Sequence, residues 1–387
     1  MNFIFISPHF PTNFENFIIR LRENGVNVLG IADEQYNNLS DNLKANLTEY
    51  YRVNDLENYN EVLRACGYFT HKYGKIDRIE SHNEHWLELD AKLRTDFNVF
   101  GFHNEDIDKI KRKSEMKKVF QECNIPVAKG RVFTDYEDAV KLAMELGYPV
   151  CIKPDSGVGA NDTHKIHNEN DLKEFYSIKQ DVDYIMEEFI DGDIVTYDGL
   201  TDQNGNTVFN STLLYDKAVL EIAEFDTDMY YYIPRELPED LIEYGELCVK
   251  AFNVVERFFH LEFFREKNTG KLIALEINCR PPGGSTTDMF NYANDIDVYK
   301  EYANIVTHNT FEAKVTRPYY CSYISRKDRN YVNSVDDIIE KYYDYIVDIQ
   351  SIPGIFSTIM GNYGFIIRTA EKEKLSEIIE AISIERS

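Results

Sequence analysis

L-E-I-N-C-R-P-P-G-G, residues Leu275 to Gly284, is the stretch on which the 387-residue chain turns. Leu275 and Ile277 alternate with Glu276 and Asn278, a period of two that predicts a strand with one apolar and one polar face. Arg280 continues the polar face. Two oxygen donors followed by a guanidinium suit a site for Mg²⁺ and phosphate: hard oxygens hold the metal, and a planar cation steadies a phosphoryl or carboxylate group. The plainer alternative is a solvated hairpin face with incidental acids.

One strand upstream lies F-H-L-E-F-F, Phe259 to Phe264. Asn268-Thr269-Gly270 between the two predicts a three-residue hairpin loop with glycine in the left-handed position. Centred on Thr269, that hairpin sets Lys267 opposite Lys271, Glu262 opposite Glu276 and His260 opposite Asn278. Two facing carboxylates repel by roughly several tenths of a kcal/mol, and a divalent cation turns the repulsion into binding. The pair of motifs resembles the metal-binding end of the ATP-grasp superfamily, in particular its carboxylate–amine ligases, where an acid on one strand precedes Glu-x-Asn-x-Arg on the next. The resemblance implies Glu262, Glu276 and Asn278 as ligands of Mg²⁺ or Mn²⁺, Arg280 as the catalytic cation, and ATP as the nucleotide.

Composition bounds the rest. The length favours two or three cooperating lobes. Net charge is −25, which argues against nucleic acid, since phosphate backbones need Lys and Arg clusters. A local site for ATP can still be basic. Six scattered cysteines form no C-x-x-C pair, so a reducing, cytoplasmic setting is expected in place of a disulfide frame or a zinc site. The apolar run Phe3 to Ile6 is too short for a signal peptide or a membrane span. A homo-oligomer is left open.

Residues 1–110 read as a first lobe. Strand Asn2–Ile6, a proline-containing loop Ser7–Asn13, helix Phe14–Asn24 and strand Val26–Ile31 imply a parallel, Rossmann-like sheet. No G-x-G-x-x-G follows the first strand, so a dinucleotide site is not supported. Further elements are a helix near Tyr59–Tyr73, a strand near Asp77–Glu80 and a helix Glu84–Phe97. In the resembled ligases such a lobe precedes the nucleotide part, which makes Ser7–Thr12 and Ser81–Glu84 candidates for substrate contact. Ser81 and Asn83 serve equally as helix caps. His9, His82 and His85 fit no standard metal spacing.

Residues 111–310 read as the nucleotide lobe. Lys109–Cys123 is a lysine-rich helix, and Tyr148–Lys153 a strand that ends in lysine before Pro154-Asp155-Ser156-Gly157-Val158-Gly159. Small residues let backbone N–H groups close over phosphate oxygens, and the lysine adds charge. By resemblance, Lys113 and Lys153 are the two phosphate-gripping lysines, with Lys111, Lys117 and Lys118 competing for the first role, and Gly157 and Gly159 belong to the flap. Tyr184–Gly192 resembles the hinge that seats adenine. There Glu187 takes the amino group, the backbone of Phe189 or Ile190 lies beside it, and Asp193 takes the ribose; many relatives carry an acid one place later, where this chain has Ile194. Strands Ile194–Leu200 and Val208–Leu214 pair around an Asn-Gly turn. Lys217 follows as a phosphate contact of the closed state. Arg235 is a candidate for a substrate carboxylate or an exposed arginine. A helix after Gly284 offers N–H groups to an anion.

Residues 311–387 read as a small α+β lobe, with strands Tyr319–Ile324, Tyr345–Gln350 and Phe365–Arg368 and helices Ser334–Lys341 and Glu371–Ile382. The fold expected is thus α/β with an α+β ATP-grasp centre. The function expected is a ligase that activates a small-molecule carboxylate, first of all an amino acid, and joins it to an amine. Biotin-carboxylase-like chemistry is disfavoured, because Pro-Pro-Gly-Gly follows Arg280 in place of Gln-Val-Glu-His. A nucleotide-binding scaffold without turnover and a kinase are the remaining readings.

Overall fold

The computed structural model describes residues 1–157, 162–216, 227–352, 354 and 357–386. The flap residue Gly159 and Lys217 lie outside them. In the first lobe, β1 (Asn2–Ile6), β2 (Asn27–Ala32), β3 (Glu49–Arg52) and β4 (Arg78–Glu80) form a parallel sheet in the order β3-β2-β1-β4. β1 is buried at every position because both its faces are covered. Phe3 and Phe5 meet Phe17 and Leu21 on one side, while Ile4 and Ile6 meet Val62 and Phe69 on the other. That is why it reads as an unbroken apolar run. β3 escaped the sequence reading: Glu-Tyr-Tyr-Arg is a half-exposed edge with no apolar run. The helix Tyr59–Tyr73 falls at the expected bounds. Asn83 caps the next element, accepting from the His85 N–H at 3.0 Å.

The second body is an antiparallel sheet of β5 (Gly130–Val132), β6 (Val150–Pro154), β7 (His164–Ile166) and β8 (Tyr184–Glu188), in the order β5-β8-β6-β7. The third is a nine-stranded sheet. It holds β9 (Gly192–Thr201), β10 (Thr207–Ser211), β11 (Leu214–Tyr215), β12 (Tyr230–Ile233), β13 (Phe258–Glu266), β14 (Leu272–Asn278), β15 (Tyr320–Arg326), β16 (Ile346–Ser351) and β17 (Tyr363–Thr369). Its order is β14-β13-β9-β11-β12-β15-β17-β16, with β10 on β9. The strands after residue 311 therefore extend the same sheet that carries Leu275–Asn278, joined through β12 and β15. Cys321, Tyr323 and Ile366 share one core with Phe3 and Phe17 of the first lobe.

Two local differences from the sequence reading matter for the site. The expected helix Lys109–Cys123 is two helices, Ile107–Lys111 and Lys113–Glu122, parted at Arg112. Arg112 is extended (φ −96°, ψ 120°) and bridges to Ser156, so Lys113 becomes the first residue of the second helix. The second difference is in the hairpin. Glu262 faces Glu276 and His260 faces Asn278 as expected, but the register slips by one residue below them. Phe263 pairs with Ala274 and Arg265 with Leu272, and the Glu266 N–H donates to the Lys271 carbonyl at 3.0 Å. Lys267 therefore does not face Lys271, and the loop has four residues with Gly270 at φ 70°. The extra residue on β14 is a bulge, and a bulge reverses which residues of a strand face the core. Leu272 and Ala274 before it, and Ile277 and Cys279 after it, all enter one core, whereas Leu275 is half-buried and lies outside it.

Candidate active site

Three neighbouring strands build a two-row grid. In one row Thr196 of β9, Glu262 of β13 and Glu276 of β14 stand opposite one another; in the next, Asp198, His260 and Asn278 do. Because strand residues two apart share a face, these six side chains share one face of the sheet. Within the grid, the Asn278 amide donates to Glu276 Oε1 at 3.2 Å. His260 is gripped from both ends, Nδ1 2.5 Å from Asp198 Oδ1 and Nε2 2.9 Å from Glu262 Oε1. Burial works against a charge on the ring, but Asp198 and Glu262 outweigh it and hold the imidazolium up to about 10. Such a ring carries its proton throughout the neutral range, which suits an orienting cation and not a general base.

A metal ion fits this face by the chemistry of its donors. Among the described residues no group of three or more His, Cys, Asp and Glu is gathered for a metal. The set here is two carboxylates and an amide oxygen. Mg²⁺ commonly binds through one or two carboxylates and completes its shell with water and nucleotide phosphates, so the set fits Mg²⁺ or Mn²⁺ and leaves room for phosphate.

Lysines face the acids. Lys113 Nζ lies 3.5 Å from Glu276 Oε2. Lys153, the lysine of β6, lies 2.9 Å from Glu187 Oε2, and Lys117 lies 2.5 Å from Glu187 Oε1. All three lysines are buried. Burial disfavours the charge of Lys153, yet Glu187 more than offsets it and raises the ammonium above its ordinary range. Burial likewise opposes ionisation of Glu187, and Lys153 and Lys117 overcome it, bringing the carboxyl down to about 2. Glu276 is held below its ordinary value against burial, by Lys113 first and then Lys153. Lys113 is fixed by Asp155, which is fully buried. The Asp155 carbonyl accepts from the Lys113 N–H at 2.8 Å, and its carboxylate accepts from the Ser114 N–H at 2.8 Å and hydroxyl at 2.9 Å. A helix start thus borrows its cap from the base of the glycine-rich segment.

The other expected residues fall around this centre. Arg280 pairs with Glu84, a buried acid of the first lobe, and donates to the Pro281 carbonyl at 2.9 Å. Lys111 donates to the Glu84 carbonyl at 3.2 Å. Gly157 stands at the start of the flap, where an added Cβ would come no nearer than 3.6 Å to Pro154. Phe189 and Ile190 follow β8, half-buried, with Lys165 Nζ 3.7 Å from the Phe189 ring centre. Asp193 is not brought into the lysine–carboxylate group: its side chain is 68% exposed beside Lys267. Arg235 is tied to the backbone carbonyls of Arg317 and Ala370, at 3.0 and 3.1 Å. His82 is buried among Phe5, Phe14, Phe17 and Tyr302, and burial brings it down to about 3.

Asp198, Thr196 and Asp155 are parts of the site that the sequence reading gave no role there, while Lys117, a competitor for the first phosphate lysine, pairs with Glu187, and Glu84, in a segment expected to contact substrate, pairs with Arg280. The signal for Asp198 was its parity with Thr196 along β9; the partner strand was the missing fact. For Asp155 the signal was an acid beside small residues, a common capping context.

Residues 146–288 match the ATP-grasp domain family. Among curated relatives, the C-terminal section of the carbamoyl phosphate synthase large chain of Methanopyrus kandleri is 23% identical over 192 residues, 47% of this chain and 35% of that one. The L-arginine-specific L-amino acid ligase of Bacillus subtilis is 26% identical over 243 residues, 60% of this chain and 58% of that one. The matched stretches thus cover about a third and somewhat over half of those two relatives. Among solved structures, the L-amino acid ligase from Bacillus licheniformis superposes with a TM-score of 0.75 at 14% identity, over 100% of this chain and 99% of that one.

Proposed function

We propose that this chain, a member of the ATP-grasp superfamily, is an ATP- and Mg²⁺-dependent ligase that joins a small-molecule carboxylate, first of all an amino acid, to an amine. The observation that carries the reading is the clustering of Glu262, Glu276 and Asn278 on one hairpin face, with Lys113 3.5 Å from Glu276, Lys153 held by Glu187 near enough to act on Glu276, and Arg280 just beyond the same strand. No Ser or Cys nucleophile is required. The substrate carboxylate oxygen attacks the γ-phosphorus of ATP, the bond to the β-phosphate oxygen breaks, and ADP leaves. The amine nitrogen then attacks the acyl carbon, inorganic phosphate leaves, and the amine loses a proton.

Glu262, Glu276 and Asn278 would hold the metal, which supplies charge neutralisation across the β- and γ-phosphates when bound. Lys113 and Lys153 bring fixed positive charge to phosphate oxygens in a buried setting, where electrostatic stabilisation is large. Arg280 presents a guanidinium to the transferring phosphoryl group or the acyl phosphate, and Glu84 aims it. Glu187, engaged by two lysines, holds them in place at the hinge. Gly157 opens the flap segment; the Phe189 N–H donates to the Pro149 carbonyl at 3.4 Å, so the Phe189 carbonyl and the Ile190 backbone would meet the adenine edge. No helix among the described residues is long and apolar enough to cross a membrane, and six free thiols accord with a reducing cytoplasm.

The test is ADP release with MgATP, hydroxylamine and pools of amino acids and small carboxylates. Hydroxylamine stands in for the amine and traps the acyl phosphate as a hydroxamate. The expected result is a hydroxamate from one pool, lost in Glu276→Gln. Phosphorylated product without any hydroxamate or amine consumption would refute the ligase reading in favour of a kinase.

A further inference from the structure

The grid contains one residue whose presence nothing above explains. Asp198 lies at the middle of the large sheet with no exposed surface, and a buried carboxylate is costly unless its oxygens are satisfied. Both are. Oδ1 meets His260 Nδ1 at 2.5 Å, and Oδ2 accepts from the Thr196 hydroxyl at 2.5 Å. Thr196 is itself fixed, its hydroxyl oxygen accepting from the Leu213 N–H at 2.8 Å. The far end of the line is Glu262, whose Oε1 is 2.9 Å from His260 Nε2. Among the described residues its Oε2 takes no hydrogen bond.

We propose that Asp198, acting through His260, is a positioning residue that orients the Glu262 carboxylate, committing Oε1 to His260 and leaving Oε2 for the metal. The inference rests on Glu262 serving the metal site proposed above. The geometry favours orientation over simple packing for three reasons. The imidazole has two ring nitrogens, and Asp198 occupies one, so the other can point only along the row toward Glu262. Neighbouring strands set Asp198 and His260 directly opposite each other, which removes rotational slack from the pair. And an apolar pair would fill the same volume in the sheet without a buried charge. Partners that fix a ligand in this way typically contribute ~10–100-fold to metal affinity.

The experiment is Mn²⁺ binding to the ADP complex, followed by electron paramagnetic resonance, in the full chain and in Asp198→Asn, His260→Gln and Glu262→Gln. ADP binding in EDTA and thermal melting are measured alongside. Orientation predicts that Asp198→Asn and His260→Gln each weaken Mn²⁺ by about 10-fold or more while ADP binding in EDTA stays within about 2-fold, a split that a purely structural role would not produce. Asp198→Asn keeps the size and one acceptor; should it fail to fold, His260→Gln gives the same reading by itself. Mn²⁺ affinity within about 2-fold of wild type in a folded Asp198→Asn or His260→Gln, with Glu262→Gln impaired, overturns the inference and leaves the metal site standing. Wild-type Mn²⁺ affinity in Glu262→Gln overturns the metal site, and the inference with it.

Discussion

Replacing Glu187 by Gln removes one negative charge from between two buried ammonium groups, at 2.5 Å from Lys117 and 2.9 Å from Lys153. The carboxyl is brought to about 2 from an ordinary value of 4.5, a difference worth roughly 3 kcal/mol. The general cost of breaking a buried ion pair, about 3–5 kcal/mol, agrees. Because the folded-state value is the lower one, the stabilisation is complete above the unfolded value of 4.5 and is lost as pH falls toward 2. The assay is hydrogen exchange on peptides covering Val150–Pro154 and Tyr184–Glu188, corrected for intrinsic rates at each pH. In wild type the protection free energy falls by about 3 kcal/mol on this account across that window. In the variant it starts about 3 kcal/mol lower at neutral pH and the added fall is missing, so the two profiles converge in acid. Profiles that run parallel at a fixed offset would refute the electrostatic argument and assign Glu187 a packing role.

Lys153→Met should weaken ADP by about 10–100-fold, the worth of a charge-assisted contact to phosphate, as read by calorimetry; unchanged affinity would remove Lys153 from the phosphate site. Gly130→Ala places a Cβ 2.1 Å from the Met186 carbonyl oxygen at φ 156°, so β5 must part from β8 at ~3 kcal/mol or more; wild-type exchange protection in β8 would contradict this. Arg257→Met withdraws a buried guanidinium from Glu80 and from the Cys279 carbonyl at 3.2 Å, and about 3 kcal/mol of stability should go with it. Arg94 still pairs with Glu80 at 2.7 Å, which sets the loss at the low end of the range, and urea unfolding measures it.

Much of the site is local in the chain and was legible for that reason. Alternation placed Glu276 and Asn278 on one face, and a hairpin through Gly270 brought Glu262 and His260 opposite them, although by a four-residue loop and a compensating bulge in place of the three-residue loop expected. What could not be read depends on contacts between distant segments. β9 lies beside β13 across some sixty residues of sequence, so Asp198 had no visible partner. The helix break at Arg112 follows from a carboxylate at Asp155 and a bridge to Ser156; the lysine run by itself looks uninterrupted, and the choice among Lys111, Lys113 and Lys117 turns on that break. The strands after residue 311 were each recognisable from their apolar content, but their membership of the large sheet is decided by β12, whose run of tyrosines has no clear period.

The one-residue slip in the hairpin has a consequence for how this site is aligned. A strand assigns its two faces by counting, so adding or removing a residue ordinarily exchanges them along its whole length. Here the miscount sits between the turn and the acids. The tip of the hairpin and its chemical end therefore keep separate tallies. The bulge offsets the four-residue loop, so Glu276 and Asn278 align with Glu262 and His260 while the greasy side of both halves closes over a common interior. The hairpin is built like a vernier, its solvent end and its chemical end reading one residue apart.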